Sequence, residues 1–318
     1  MNNVLSPSQG AFRPGYSISE KTWMLDMFLT SCNHFDVSGS LINIDQFHAY
    51  DCLEWDFILF ILQCFGFSGN WLLWLSLLYH SSRGHILING ILSVSFQIVR
   101  GVHQGCPLSP SIFNIAQEAL IRYIRHHLTG IALPKMTLIT DEYADDILIA
   151  CSNQNEIDFL INTFDIYKCA SGQTLNLSNT EHIHFGNDHL QSPFRHIWPN
   201  TEFKHLGIPF TSTGISISGL EKKVDTILAS SFLTSDFWRS HGRGAIIALN
   251  TFLMSHFIHL LSAAMLPVTS LQKIHSFCYN FCARHAVGRT AYDKNMPSHI
   301  TRWSQPYSYC RSCLCSFW

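Results

Sequence analysis

Charge is scarce in this sequence. Asp, Glu, Lys and Arg make up 13% of 318 residues and nearly cancel to a formal net charge of -2, so the charged share is about half that of an ordinary soluble domain. A chain this neutral has no global attraction for phosphate, and any role with nucleic acid has to rest on local motifs. A cysteine framework is also lacking. The 11 cysteines are odd in number and scattered, and the one cluster, "CRSCLC" at Cys310, Cys313 and Cys315, has no second ligand pair to complete a zinc site. The polar start "MNNVLSPSQG" has no apolar core of a signal peptide, so reduced thiols inside a cell are expected. There is no internal repeat. Two long apolar stretches, 57–80 and 244–268, are interrupted, the first by Gly66, Ser68, Gly69 and Asn70, the second by Asn250, Thr251, Ser255, His256 and His259. Both read as buried helices, and no membrane partner is expected. Apolar residues, by contrast, are plentiful: 47% hydrophobic and 13% aromatic content excludes a disordered polymer and supplies a packed core.

Periodicity predicts a helix from Ile18, a short buried strand in "GSLINIDQF" running into Asp45, and helices over Trp55 to Cys64 and Asn70 to His80. "HILING" and "ILSVSFQIVRGV" form a hairpin through Asn89 and Gly90. Pro110 opens a helix whose apolar face includes Ile112, Phe113, Ile115, Ala116 and Leu120. "KMTLITDEYADDILIACS" reads as two strands about a tight turn, followed by a helix over Asn155 to Ala170, the strand "HIHFG" and an irregular link containing Pro193. "FKHLGIPF" is a strand and turn, and helices occupy 217–285. Without a regular βαβ repeat, the fold class is α+β.

Asp145 and Asp146 are adjacent at the tip of that turn, between apolar strands. Two anions side by side are stable only where something compensates them, and a divalent cation held by carboxylate oxygens does so. A third carboxylate from a neighbouring strand is then needed, and Asp45 ends one. This is the pattern of two-metal phosphoryl transfer, with magnesium as the ion.

The motifs together resemble the reverse transcriptase of non-LTR (LINE-type) retrotransposons. "SQGAFRPGYSI", "IDQFHAYDCLEWDFI", "FGFSGNWLLWLSLLY", "ILINGILSVSFQIVRGVHQGCPLSPSIFNIAQEAL", "YADDILIA", "ASGQTLNLSNTEHIHFG", "FKHLGIPF" and "HGRGAIIALNTFLMSHFIHLL" follow in that family's order over roughly residues 8–285. The resemblance implies a right-hand polymerase palm (antiparallel sheet with packed helices) and partial fingers over 1–200. A primer grip and helical thumb would span 201–285, and a poorly ordered tail 286–318. It implies RNA-directed DNA polymerase activity, with an RNA template, a DNA primer, a dNTP and two Mg2+ ions. Asp45, Asp145 and Asp146 would be catalytic and would hold the metal. Tyr50, Gln104 and Gly105 would contact the nucleotide, and Tyr143, Phe203, Leu206 and Gly207 the primer. A nuclear or cytoplasmic ribonucleoprotein is the implied setting.

The sequence departs from the family at particular positions. Tyr16 and His103 stand where the family carries arginine, and His48 and Asn179 stand where it carries lysine. Each change removes a fixed positive charge, and an amide at 179 cannot protonate a leaving pyrophosphate. Only 44 residues precede Asp45, so the chain reads as a truncated and partly degenerate copy without an endonuclease domain. The alternatives are an inactive relic holding nucleic acid weakly at most, and a membrane protein built on the two uncharged stretches.

Overall fold

The computed structural model describes residues 4–187, 189–229 and 249–285. Helix α1 (Ile18–His34) starts where the Ser17 hydroxyl accepts from the Ser19 amide, and it buries Leu25, Phe28, Leu29 and Cys32. Strand β1 (Gly39–Ile44) follows, then β2 (Gln46–Phe47) and the single turn α2 (Ala49–Cys52). Helices α3 (Trp55–Cys64) and α4 (Gly69–Tyr79) meet at the Gly66–Asn70 breakers, so the apolar run becomes two short helices. Among the described residues no helix is long and apolar enough to cross a membrane.

Next comes a slender hairpin of four two-residue strands, β3 (Arg83–Gly84), β4 (Leu87–Ile88), β5 (Ile91–Leu92) and β6 (Phe96–Gln97). β4 pairs with β5, and β3 with β6. Helix α5 (Ser109–His127) carries Pro110 in its first turn, where the missing amide is no loss. Strands β7 (Ile131–Leu133), β8 (Met136–Leu138), β9 (Thr140–Tyr143) and β10 (Asp146–Cys151) lead into helix α6 (Gln154–Ser171). Asn153 caps the start of α6 and Gly172, in the left-handed region, ends it.

The remaining strands are β11 (Thr174–Leu175), β12 (Glu181–Phe185), β13 (Arg195–Ile197), β14 (Phe203–His205), β15 (Ile208–Thr211) and β16 (Gly214–Ile215). Helix α7 (Ile217–Leu228), the π-helical segment Leu249–Met254, and helices α8 (Ser255–Ala263) and α9 (Val268–His285) complete the described elements.

Five strands form the main sheet in the order β13-β12-β1-β10-β9, with β1 at its centre. All neighbours are antiparallel except β12 and β13. α5 and α6 cover one face, where Ile42, Ile44, Ile147 and Ile149 meet Leu120, Ile121, Ile124, Ile157, Leu160 and Phe164. Each such fully buried side chain contributes about 1.5–3 kcal/mol. A second cluster joins α3, α4 and the start of α5 through Leu53, Ile58, Leu62, Leu75, Tyr79 and Phe113. An antiparallel α+β sheet with packed helices is what the resemblance implies.

The chain divides into two compact units, Met1–Leu220 with His259–Met265, and Glu221–Ile258 with Leu266–Trp318. The 203–211 hairpin, which the sequence reading assigned to a segment starting at Thr201, groups with the first unit. In the second, Lys273 pairs with Asp225 at 2.8 Å. The expected poorly ordered tail beyond His285 lies outside the described residues. Residues 195–197 correct the reading of that stretch as irregular, since they form β13, the parallel edge of the main sheet.

Candidate active site

One end of the sheet gathers acids. The last ladder pair of β1 and β10 is Ile44 with Ile147. Asp45, next along β1, and Asp146, just before Ile147, therefore oppose each other on the face shared by Asn43 and Leu148. Asp145 sits in the two-residue turn that joins β9 to β10 and is closed by Tyr143 and Asp146.

Both turn carboxylates reach solvent and Asp45 is half-buried, yet the packing around them desolvates the charged forms. That desolvation, followed by the charges of Asp145 and Asp45, pushes the Asp146 carboxyl up to about 6. Asp145 is raised as well, first by desolvation and further by Asp45, against the lowering effect of its own backbone amide. The three acids are thus brought within each other's field. Among the described residues they do not close into a compact ligand set; the Asp45 charge bears on Asp145 and Asp146, and the Asp145 charge on Asp146.

Remote contacts hold this end of the sheet. Ala144, a non-glycine residue, has φ +57°, a left-handed conformation costing roughly 1–2 kcal/mol. The Gln9 side-chain oxygen accepts from the Ala144 amide at 3.0 Å and from the Ala11 amide at 2.9 Å. Gln9 is buried and forms an isolated bridge to Glu142, with the Gly10 amide donating to the Glu142 carbonyl at 2.9 Å. Lys21 reaches over the same segment to Asp141 at 2.6 Å. Asp45 is gripped from the other side: its amide donates to Thr180 Oγ1 at 3.3 Å, and its carbonyl accepts from the Asn176 amide at 2.9 Å. Gln173 donates to Gln46 Oε1 at 3.1 Å and to the Ala49 carbonyl at 3.0 Å, fixing the chain just after Asp45. The sequence reading gave Gln9, Gln173 and Thr180 no role. Gln9 lies in a quoted motif, but a neutral amide 135 residues from its partner Ala144 leaves no local pattern to read.

Tyr50, on α2, stacks on Phe113 with ring centroids 4.2 Å apart. Burial and then the Asp145 charge push its hydroxyl up to about 12, so Tyr50 belongs to the acid end. Gln104 and Gly105 stand one step away, in a loop fastened to α2 by the Val102 amide bonding the Tyr50 carbonyl at 2.8 Å. Gln104 turns its amide toward Asp51 Oδ1 at 3.4 Å. Gly105 has φ +86° with open space where a Cβ would stand, so the backbone conformation itself calls for glycine.

Tyr143 flanks the acids and lies against Gly10, where an added Cβ would approach its ring to 3.3 Å. The 203–211 hairpin attaches at Asn43, whose side-chain amide donates to the Lys204 carbonyl at 3.4 Å. Phe203 is buried against Phe210 and Leu206 is buried at the turn, so Lys204 and Gly207 are what this hairpin exposes between Phe203 and Phe210.

Three of the positions where the resemblance implies a cation are placed as follows. His103 stacks on Tyr79 at 5.2 Å and meets Ser82 Oγ at 3.2 Å, Tyr16 lies under the Arg13 guanidinium, and Asn179 is exposed in the turn before Thr180.

Comparison with known proteins gives the arrangement its context. Residues 1–210 match the family described as reverse transcriptase (RNA-dependent DNA polymerase). The Xenopus laevis "Transposon TX1 uncharacterized 149 kDa protein" is 27% identical over 221 residues, covering 68% of this chain and 17% of that protein. The Drosophila melanogaster "Retrovirus-related Pol polyprotein from type-2 retrotransposable element R2DM" is 24% identical over 226 residues, 65% of this chain and 21% of its own. This chain thus spans about a fifth of the length of these relatives. A solved apo telomerase from Candida tropicalis, truncated from its C-terminal domain, aligns over 63% of this chain and 39% of its own, with TM-score 0.46 and 14% identity.

Proposed function

The chain belongs to the reverse transcriptase (RNA-dependent DNA polymerase) family, and from that premise we propose that it is the palm-bearing part of an RNA-directed DNA polymerase of a non-LTR retrotransposon. The observation that carries this reading is the opposition of Asp45, just past the end of β1, and Asp146, at the start of β10, with Asp145 in the turn that leads from β9 into β10. The Asp45 charge, acting on Asp145 and Asp146 and raising both, suits a hard divalent cation, which cancels that repulsion. Asp45, Asp145 and Asp146 would hold magnesium, which when bound makes a primer 3′-hydroxyl a better nucleophile and neutralises charge on the departing pyrophosphate.

In this reading the protein's own groups position the reactants. The Tyr50 ring, stiffened by Phe113, lies under the sugar and excludes a ribose 2′-hydroxyl. Gln104 and Gly105 border the incoming dNTP. Tyr143, beside the turn, meets the primer end, and the 203–211 hairpin meets it through its backbone and Lys204, because the rings of Phe203 and Phe210 face inward.

A second reading, a palm that retains the fold without turnover, is favoured by one observation. Three cations that bond β9 and the Ser6–Gln9 segment behind the acid turn are engaged internally: Lys21 with Asp141, Arg13 with the carbonyls of Ser6 and Gln9, and Arg125 with Ser8 and Thr140. The two readings part in a primer-extension assay on an RNA template with dNTPs and Mg2+. Extension that Asp145→Asn with Asp146→Asn abolishes, by about a thousandfold or more, sustains the polymerase. A folded chain that binds primer and template without extending establishes the relic.

A further inference from the structure

On the face of the sheet opposite Asp45, three imidazoles crowd together. His182 and His184 alternate along β12 and pair with Ile42 and Ser40 of β1, so they share the face of Ser40, Ile42 and Ile44. His196 of β13 pairs with His182 across the parallel ladder. One ligand nitrogen from each of the three lies within 4.8 Å of the others, with His182 and His184 buried and His196 half-buried. The His182 and His184 rings stack at 4.0 Å, and Trp198 lies flat on His184 at 4.4 Å.

The surrounding bonds set the imidazoles for a ligand. His196 Nε2 meets the Ser192 carbonyl at 3.1 Å. A carbonyl can only accept, so Nε2 carries the proton and Nδ1 keeps its lone pair. That bare Nδ1 faces His184 Nε2 at 2.7 Å. A backbone carbonyl behind one ring nitrogen, with the other turned inward, is how proteins orient metal-binding histidines. His182 meets Ser40 Oγ at 2.6 Å through Nε2 and Ser192 Oγ at 2.8 Å through Nδ1. A hydroxyl can donate or accept, so either nitrogen of His182 can be bare. With its proton on Nδ1 rather than Nε2, His184 presents a third lone pair. Three neutral nitrogens without a carboxylate among them select a borderline transition ion over magnesium or calcium.

We propose that His182, His184 and His196 form a transition-metal site, with zinc as its ion, that clips β13 to β12 at the edge of the main sheet. Three imidazoles leave a fourth position for water. The site is separate from the acids and involves no step of polymerisation.

The test uses the full chain with Cys310, Cys313 and Cys315 changed to Ser, in excess Mg2+ so that carboxylates do not take up the probe. Zinc is titrated against a chromophoric chelator, and cobalt(II) is used as a spectroscopic substitute. One zinc per chain with micromolar or tighter affinity is expected. Cobalt should give visible bands without thiolate charge transfer. His184→Phe keeps a ring against Trp198 and should weaken zinc at least about tenfold. His196→Phe, on the half-exposed edge strand, should do the same if the buried substitution prevents folding, with circular dichroism reporting the fold of each. Failure of the parent chain to hold zinc, undiminished affinity in a folded histidine variant, or a thiolate signature for cobalt would each overturn the proposal.

Discussion

Two of the tight hairpins in this chain that turn on positive-φ residues are built in opposite ways. The Asn89–Gly90 turn joins Ile88 to Ile91 with φ of +49° and +82°, values that Asn and Gly adopt readily. It stands by itself, with Ile88 and Ile91 64% and 75% exposed. The Ala144–Asp145 turn puts alanine where glycine is preferred, sets two acids beside it, and relies on Gln9, which bonds the Ala144 amide, and on Lys21, which holds Asp141 of the strand feeding it. A turn chosen for local conformation is self-sufficient. A turn whose residues are dictated by chemistry borrows its stability from elsewhere.

The sharpest way to expose that borrowing is pH. Glu142, in the strand feeding the acid turn, points into the helix-covered face and is fully buried, with neither carboxylate oxygen at bonding distance of a partner among the described residues. Desolvation pushes it from 4.5 up to about 7, and the nearby Thr140 and Ser8 hydroxyls offset only part of that. A folded-state value above the unfolded one contributes stability that is full below pH 4.5 and is lost as pH rises through 7. Moving this carboxyl from 4.5 to about 7 amounts to roughly 3 kcal/mol. Glu142→Gln should flatten that part of the pH–stability profile and stabilise the fold at pH 8, as chemical denaturation would show. An unchanged profile would remove Glu142 from the comparison.

Gln9→Ala comes next. It leaves the Ala144 and Ala11 amides without their acceptor, costing about 1–3 kcal/mol. Primer extension should fall about tenfold or more through kcat rather than nucleotide KM, since the turn and not the pocket is loosened. Ala144→Gly acts in the other direction, relieving the left-handed strain for a net gain of about 0.5–1 kcal/mol in thermal stability. Asn89→Ala should cost at most about 1 kcal/mol, seen as faster amide exchange confined to residues 86–93, with extension unaltered. If Asn89→Ala impaired extension as Gln9→Ala does, the contrast between the two turns would collapse.

The same contrast explains what was legible in the sequence. Helix α3 begins at Trp55 and ends at Cys64 as periodicity predicts, because its apolar spacing and the following Gly66 are local signals. The Asn-Gly hairpin was legible for the same reason. The acid turn and its strand partner were found through chemistry, because adjacent aspartates between apolar strands demand a compensating group. The supports of that turn and of Asp45 were not legible: Gln9, Gln173 and Thr180 act through hydrogen bonds to segments more than a hundred residues away. β13 was missed because a three-residue parallel edge after a proline-containing link has too few positions to show a period. His182 and His184 already share a face by their spacing of two, but His196 joins them only once β13 is in place.

The central position of β1 has a consequence for how the chain comes into being on the ribosome. β1 leaves the ribosome before both of its neighbours, β10 and β12, which are more than a hundred residues downstream, and Thr180, which grips Asp45, is 135 residues away. At roughly 5–20 residues per second, β1 waits on the order of ten seconds with both edges open. Through that interval an apolar strand is bare to other nascent chains, so the part of the molecule that later holds Asp45 is also its main point of vulnerability during translation.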